Sequence, residues 1–229
     1  MLHRFALRTH EFRHGDFAAT LVAPASPDEL IDVSEFNADE RLPYWAELWP
    51  SARALAAELL VLPPPKGRVL ELGCGIALPS LALRWRGVDV LASDYYPEAL
   101  EFARANAERN RIAPPATLLL DWRHPPANLG PFDLLVAADV LYERRNADAL
   151  ATLIPRLAAP DGRVLLADPG RTYLEHFRHL MRAAGWRMEE TGRRSEPVPE
   201  TGREVTVRLY SLWRGLPPVI GPRRSCRRS

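Results

Sequence analysis

The segment Glu71-Leu72-Gly73-Cys74-Gly75-Ile76-Ala77-Leu78 closes a short apolar run, Arg68 to Leu72, and opens a helical one, Leu78 to Arg86. Glycines between a strand and a helix let the backbone turn sharply and come close to a ligand. The helix that follows aims its first N–H groups at the same place. The next strand ends in Asp94, 19 residues after Gly75. A carboxylate at that position suits a ribose diol, because it accepts two O–H hydrogen bonds. The nicotinamide fingerprint G-x-G-x-x-G/A fails, since its sixth position is Leu78. Glu71, beside the first glycine, is a poor neighbour for an anionic pyrophosphate and a good one for a cationic or ammonium-bearing ligand.

Outward from this turn, strand and helix patterns alternate. Downstream come a strand at Val88 to Ser93, a helix at Pro97 to Asn110 and a strand at Ala116 to Leu120. A proline-rich loop leads to a buried-type strand at Phe132 to Ala138 and a helix at Asn146 to Ala158. Asp161-Gly162 then turns the chain into a strand at Arg163 to Ala167, and a helix follows at Thr172 to Ala184. Two last strands, Trp186 to Thr191 and Glu204 to Trp213, are joined by a polar, proline-containing loop. Upstream, Ser51 caps a helix running to Leu62, which Pro63-Pro64-Pro65 stops. Repeated alternation predicts an α/β, doubly wound, Rossmann-like sheet of seven strands, mostly parallel. The last two strands have no helix between them and should pair antiparallel.

The glycine turn, Asp94 and the acid at Asp121 resemble, in order, the cofactor motifs of the class I, seven-β-strand S-adenosylmethionine-dependent methyltransferases. That cofactor carries both a sulfonium and an α-ammonium. Four further segments narrow the resemblance: Pro43-Tyr44-Trp45-Ala46-Glu47-Leu48-Trp49-Pro50, Leu120-Asp121-Trp122, Ala138-Asp139-Val140-Leu141-Tyr142 and Asp168-Pro169-Gly170-Arg171. They are similar to family 16 of that fold, and most closely to the electron-transfer flavoprotein β-subunit lysine methyltransferases and their bacterial relatives, over residues 43 to 173. The resemblance implies that Trp49, Ala138, Gly73 and Gly75 line the cofactor, with Glu71 close by. It implies that Asp94 holds the ribose and Tyr95 borders the adenine. Asp121 and Trp122 would meet the adenine, one by hydrogen bond and one by ring contact. Asp139 and Tyr142 match the D-x-x-Y element that faces the acceptor nitrogen. Ala77 departs from the pattern, standing where many relatives have a third glycine.

The same residues have plainer readings. Asp139 suits a helix cap, and Tyr142, Trp49 and Trp122 suit ordinary packing. Asp168 suits either a cap for the helix beginning near Arg171 or a place at the pocket mouth. As chemistry, strand C-termini in such sheets form the ligand crevice. A carboxylate there, opposite a sulfonium, orients an amine. A lysine acceptor, with a free pKa of ~10.4, must shed a proton before it attacks. An anionic Asp139 would raise that pKa, so it serves docking more than deprotonation, and no dedicated general base is assigned.

Composition narrows the classes. In 229 residues, 47% are hydrophobic and 26% charged, ordinary for a globular chain. Lys66 is the only lysine, and it lies in a linker, which disfavours Schiff-base chemistry. Neither a G-x-S-x-G turn nor paired zinc-spaced cysteines occur, and His176-x-x-His179 alone is a weak metal signal, so no metal is expected. Cys74 and Cys226 fit a reducing, cytoplasmic setting. Apolar runs fall far short of the ~20 residues of a membrane span, and no secretory h-region is present. Residues 1–42 read as an N-terminal extension, a β-hairpin (Phe5 to Glu11, Asp16 to Val22) plus an acidic stretch from Asp28 to Glu40. Residues 43–213 read as the methyltransferase domain. Residues 214–229 read as a basic, disordered tail with five arginines and no acid.

The expected activity is methyl transfer to a lysine side-chain nitrogen of a protein. The alternatives are a small-molecule N-methyltransferase acting on a nicotinamide-like pyridine or an aryl amine, and a non-catalytic S-adenosylmethionine-binding interaction module. A nucleic-acid substrate is disfavoured, because Asp139-Val140-Leu141-Tyr142 lacks the N/D-P-P-Y/F/W form of base-modifying enzymes and the body is mildly acidic.

Overall fold

The computed structural model describes residues 5–26, 43–198 and 201–215. The acidic stretch from Asp28 to Glu40 and the tail beyond Gly215 lie outside the described residues. The helices are α1 (Pro50–Val61), α2 (Leu78–Trp85), α3 (Pro97–Arg109), α4 (Arg144–Leu157) and α5 (Leu174–Ala183). The strands are β1 (Leu7–His14), β2 (Phe17–Pro24), β3 (Val69–Leu72), β4 (Val90–Asp94), β5 (Ala116–Leu119), β6 (Phe132–Ala138), β7 (Ala158–Asp168), β8 (Trp186–Val198) and β9 (Arg203–Arg214).

β3 is buried at every residue, as a strand covered on both faces must be. Around it the seven-stranded sheet runs β5-β4-β3-β6-β7-β9-β8. β3, β4, β5, β6 and β7 are mutually parallel, and β9 pairs antiparallel with both β7 and β8. The expected doubly wound α/β sheet is therefore present. The chain winds one way from β3 through β5 and then crosses to β6 on the other side of β3. That reversal opens a crevice beyond the C-terminal ends of β3 and β6. Alternating side chains supply the two cores. Leu135 and Ala137 pack with Leu150, Ile154 and Phe177 of α4 and α5, while Leu134 and Val136 pack with Leu55 and Leu59 of α1.

Several boundaries move. Residues 192–198, read as loop, continue β8 as a ribbon paired with β9. Both faces of that ribbon are polar and half exposed, so it shows none of the apolar alternation that marks a strand. Pro197 is tolerated because β8 is the edge strand. The Asp161-Gly162 turn is absorbed into β7, where pairing skips from Phe132–Ala158 to Leu134–Arg163. A Cβ on Gly162 would lie 2.8 Å from the Phe132 carbonyl oxygen, so this bulge requires glycine. Ser51 does not cap α1. Trp49 holds the N-cap position without a side-chain bond, and Ser51 is fully buried inside the helix.

The hairpin β1–β2 docks onto α3 by an unusual device. Asn106 accepts from Val22 N–H at 2.7 Å and donates to Val22 O at 3.1 Å. One turn on, Asn110 accepts from Thr20 N–H at 2.8 Å and donates to Thr20 O at 2.9 Å. Two helix amides thus satisfy the open edge of β2 as another strand would. Phe12, Phe17 and Leu21 bury against Ile76, Leu81 and Phe102 in the same contact.

Candidate active site

The β3–α2 turn takes its shape from left-handed backbone. Gly73 has φ +69°, Gly75 φ +51° and Ala77 φ +67°. The last is strained for an alanine, at the position where the family pattern predicts a third glycine. A Cβ on Gly73 would meet the Trp122 ring at 3.2 Å and Val140 at 3.3 Å, and one on Gly75 would meet the Trp45 carbonyl oxygen at 3.0 Å. The turn therefore forms a cradle whose floor has no room for side chains.

Asp94 closes that cradle from the end of β4. It accepts from Gly75 N–H at 2.8 Å and from Tyr96 N–H at 3.1 Å. Burial pushes its carboxyl up to about 6, against the pull of those backbone N–H groups. Glu71 is 1% exposed. Burial pushes it up to about 8, although the Ser80 hydroxyl and N–H both donate to it. A buried glutamate that stays protonated near neutrality ionises when a cation arrives beside it.

The other side is built from β6 and the segment before α1. Asp139 follows β6 with φ +59°, a rare conformation for a non-glycine residue. Its N–H donates to Ala167 O at 2.9 Å. Its Oδ1 accepts from Arg171 Nε at 2.6 Å and its Oδ2 from Ser51 Oγ at 3.2 Å. The helix-cap reading is not what the geometry shows, because Glu143 is the N-cap of α4. Tyr142 meets Tyr44 edge-on at 5.0 Å, and Tyr44 meets Trp49 edge-on at 6.1 Å. Trp49 Nε1 donates to Tyr44 O at 2.8 Å, and the Arg171 guanidinium lies 5.3 Å from the Trp49 ring. Arg8 of β1 pairs with Glu47 and so braces this wall from the hairpin.

All eleven residues singled out from the sequence line one cleft, open to solvent: Trp49, Glu71, Gly73, Gly75, Asp94, Tyr95, Asp121, Trp122, Ala138, Asp139 and Tyr142. Asp168 does not line it. It is fully buried, and its Oδ1 accepts from the Gly170 and Arg171 N–H groups at 2.7 Å each, so it closes the turn after β7; it is not the helix cap that the sequence suggested, because α5 starts at Leu174 with Tyr173 as its N-cap. Asp121 is less available than expected. Burial raises its pKa, but Arg123 and His124 outweigh that and hold the carboxylate far below its ordinary range. Arg123 donates through its N–H at 2.9 Å and its guanidinium at 2.9–3.2 Å, and His124 Nδ1 lies at 3.0 Å. His176, half of the weak metal signal, lies 2.6 Å from Asp148.

Sequence reasoning missed Tyr44, Glu47, Tyr96, Arg145 and Asn146 in the cleft wall. Tyr44 and Glu47 sit in the quoted Pro43–Pro50 segment and were within reach. Asn146 lies in the first turn of α4 and carries no local signal. Among the described residues, Asn146 Nδ2 and Trp122 Nε1 are buried donors without a partner. A glycine-floored cradle, two buried acids with raised pKa values and orphaned donors fit a nucleoside with a cationic amino-acid portion. S-adenosylmethionine has that chemistry.

Comparisons with known proteins agree. A family model described as a methyltransferase domain matches residues 26–201. The electron transfer flavoprotein beta subunit lysine methyltransferase of Xenopus laevis is 37% identical over 161 residues, covering 65% of this chain and 63% of that protein. Its counterpart in Danio rerio is 32% identical over 178 residues, covering 75% and 66%. The chain thus spans less than two thirds of the length of these relatives. Among solved structures, the Synechocystis magnesium protoporphyrin IX methyltransferase with bound S-adenosylmethionine is similar at TM-score 0.55 and 17% identity, covering 72% of this chain and 78% of that one. The Thermus thermophilus 16S rRNA N2 G1207 methyltransferase is similar at TM-score 0.60 and 17% identity, covering 91% and 51%.

Proposed function

The chain belongs to the methyltransferase-domain family, and from that premise we propose that it moves a methyl group from S-adenosylmethionine to a lysine side-chain nitrogen of a protein. One observation carries the reading. The acidic, glycine-floored cradle after β3 and the Asp139–Tyr142 pair after β6 share one cleft. The relatives named as lysine methyltransferases support the choice of acceptor.

S-adenosylmethionine, when bound, supplies a methyl group already activated on a sulfonium, so no covalent enzyme intermediate is needed. The residues that would hold it are Gly73, Gly75 and Glu71 at its amino-acid end, Asp94 at its ribose, and Tyr95 and Trp122 at its base. Asp121, held by Arg123 and His124, serves this wall by fixing the loop after β5. Asp139 orients the incoming nitrogen. Tyr44, Trp49 and Tyr142 line its path with aromatic surface, exclude water and favour a near-attack alignment. Tyrosine and tryptophan faces also pack against an alkylamine stem.

Methyl-labelled S-adenosylmethionine added to a lysate of the native host tests this, beside an Asp139→Ala control. Label in a discrete protein that disappears with the variant is the expected result. Label confined to small molecules would replace the protein acceptor with an amine metabolite. Binding of the cofactor with no label in either fraction would overturn catalysis on a lysine.

A further inference from the structure

An anionic carboxylate beside the acceptor creates a conflict that the reading above leaves open. It attracts a lysine ammonium, yet it also holds the proton that must leave before the nitrogen can attack. Here both Asp139 oxygens are already engaged, Oδ1 by Arg171 Nε at 2.6 Å and Oδ2 by Ser51 Oγ at 3.2 Å. Neither Arg171 nor Ser51 is among the residues lining the cleft, whereas Asp139 and Trp49 are. The arginine thus holds the carboxylate from the side of the Trp49 ring, with a third of its own side chain exposed. We propose that Arg171, with Ser51, is a positioning residue that neutralises Asp139 from outside the cleft, so that the acceptor nitrogen is taken up as the uncharged amine. The proposal rests on an amine being the acceptor.

The arrangement is built, not incidental. Asp168 accepts from the N–H groups of Gly170 and Arg171 at 2.7 Å each and fixes the backbone from which Arg171 reaches forward. Burial alone would loosen the guanidinium's proton, but Asp139, Asp168 and Tyr44 outweigh that and keep it charged. Asp139 itself is 5% exposed and the Arg171 side chain one-third exposed, so water screens the pair from the arginine side only. An ion pair closed on itself presents little net charge to a ligand, and a site with little net charge has little with which to hold an ammonium in preference to a neutral amine. Of the other charged groups near Asp139, Asp168 is held by backbone N–H groups with its carboxyl pushed up chiefly by burial, and the rest come in pairs or sit on the cofactor side. Glu47 pairs with Arg8, and Glu143 with Arg145. Glu71 and Asp94 titrate near about 8 and about 6. They are common to every variant below, so differences between variants report on Asp139.

The test uses n-butylamine as the lysine side-chain surrogate and S-adenosylhomocysteine to fill the cofactor site. Binding is followed by tryptophan fluorescence from pH 6 to 10. The wild type should bind total amine about tenfold more tightly for each pH unit, tracking the neutral fraction below a pKa of ~10.4. Arg171→Gln exposes an unpaired carboxylate. It should bind the ammonium at least tenfold more tightly than wild type at pH 7 and lose that slope, and its methyl-transfer pH profile should rise about one unit later. Arg171→Lys, which keeps the charge, should restore the slope. Ser51→Ala should move it about threefold in the same direction, and it serves as the second variant if Arg171→Gln does not fold. Coincident slopes in all variants, no amine binding by any, or faster turnover in Arg171→Gln would each overturn the proposal. Slopes as expected with no labelled protein in the host lysate would sink the protein-lysine reading and leave Arg171's role standing. The reverse combination would sink only the role of Arg171.

Discussion

The two walls of the cleft solve different problems with different materials. The wall after β3 is made largely of backbone. Gly73, Gly75 and Ala77 all hold left-handed φ values, and the acids beside them, Glu71 and Asp94, are buried with no basic side chain bonded to them among the described residues. On the proposed function, their charge is held in reserve for the cofactor. The wall after β6 is made of side chains from distant segments: Tyr44 and Trp49 before α1, Ser51 on α1, Asp139 and Tyr142 after β6, Arg171 after β7. Its one buried acid is already answered by an arginine. On the proposed function, a wall built for a constant cofactor can be rigid and unsatisfied, and a wall built for an acceptor must align a nitrogen without trapping its proton.

The sharpest way to break this division is Gly75→Val. A β-branched residue at φ +51°, with its Cβ at 3.0 Å from the Trp45 carbonyl oxygen, should lower S-adenosylhomocysteine affinity by at least ~100-fold, or about 3 kcal/mol. Calorimetric affinity within threefold of wild type would show that the cradle is not where the cofactor sits. Asp139→Ala asks the converse. Turnover should fall ~100-fold, a magnitude usual for one lost electrostatic contact at the reacting centre. Cofactor affinity should stay within threefold, because Asp139 makes its bonds to Ser51 and Arg171 and none to the glycine turn. Equal losses of binding and turnover would mean that the two walls are one unit. Asp94→Asn is milder. It keeps the shape and one acceptor oxygen but loses the charge, so cofactor affinity should drop about 10- to 30-fold in the same titration.

The contrast also explains what could be read in the chain. The cofactor wall is contiguous: a strand, two glycines, a helix and an acid at the next strand end are local features, and local features survive in one dimension. Gly73, Gly75 and Asp94 follow from them directly. The parallel sheet follows too, from apolar runs such as Phe132–Ala138, which the structure reproduces residue for residue. The acceptor wall is legible only in part. The resemblance of D-x-x-Y to a family element singles out Asp139 and Tyr142, both of which line the cleft, but nothing local says that Ser51, 88 residues earlier, bonds the same carboxylate. Serine before a helical run reads as a cap, and here Pro50 at the first helical position displaces it inward. The docking of the hairpin through Asn106 and Asn110 was equally hidden, because asparagine inside a helix reads as a weak helix former. The polar ribbon of β8 hid for want of apolar alternation.

The smallest expected effect tests the reserve of charge itself. Glu71 has a pKa of about 8 in the folded protein and an ordinary value of 4.5, so the folded state keeps a proton that the unfolded chain has lost. Its contribution to stability is full below pH ~4.5, declines as the pH rises and is gone above about 8. Asp94, raised from 3.8 to about 6, steepens the lower part of that decline. Glu71→Gln keeps an acceptor for the Ser80 hydroxyl but removes the proton. Thermal unfolding from pH 5 to 9 should therefore show a shallower fall for the variant, by about 1–2 kcal/mol or roughly 3–6 °C across the range. The cofactor should expose the same group from the other direction. An ammonium docked beside Glu71 favours the ionised form, so binding expels the proton and wild-type affinity should tighten as the pH rises from 6 to 8. In Glu71→Gln that dependence should vanish, with affinity at pH 8 below wild type. An unchanged dependence would place the ammonium elsewhere and make Glu71 a structural acid, which would leave the cofactor wall as closed on itself as the acceptor wall.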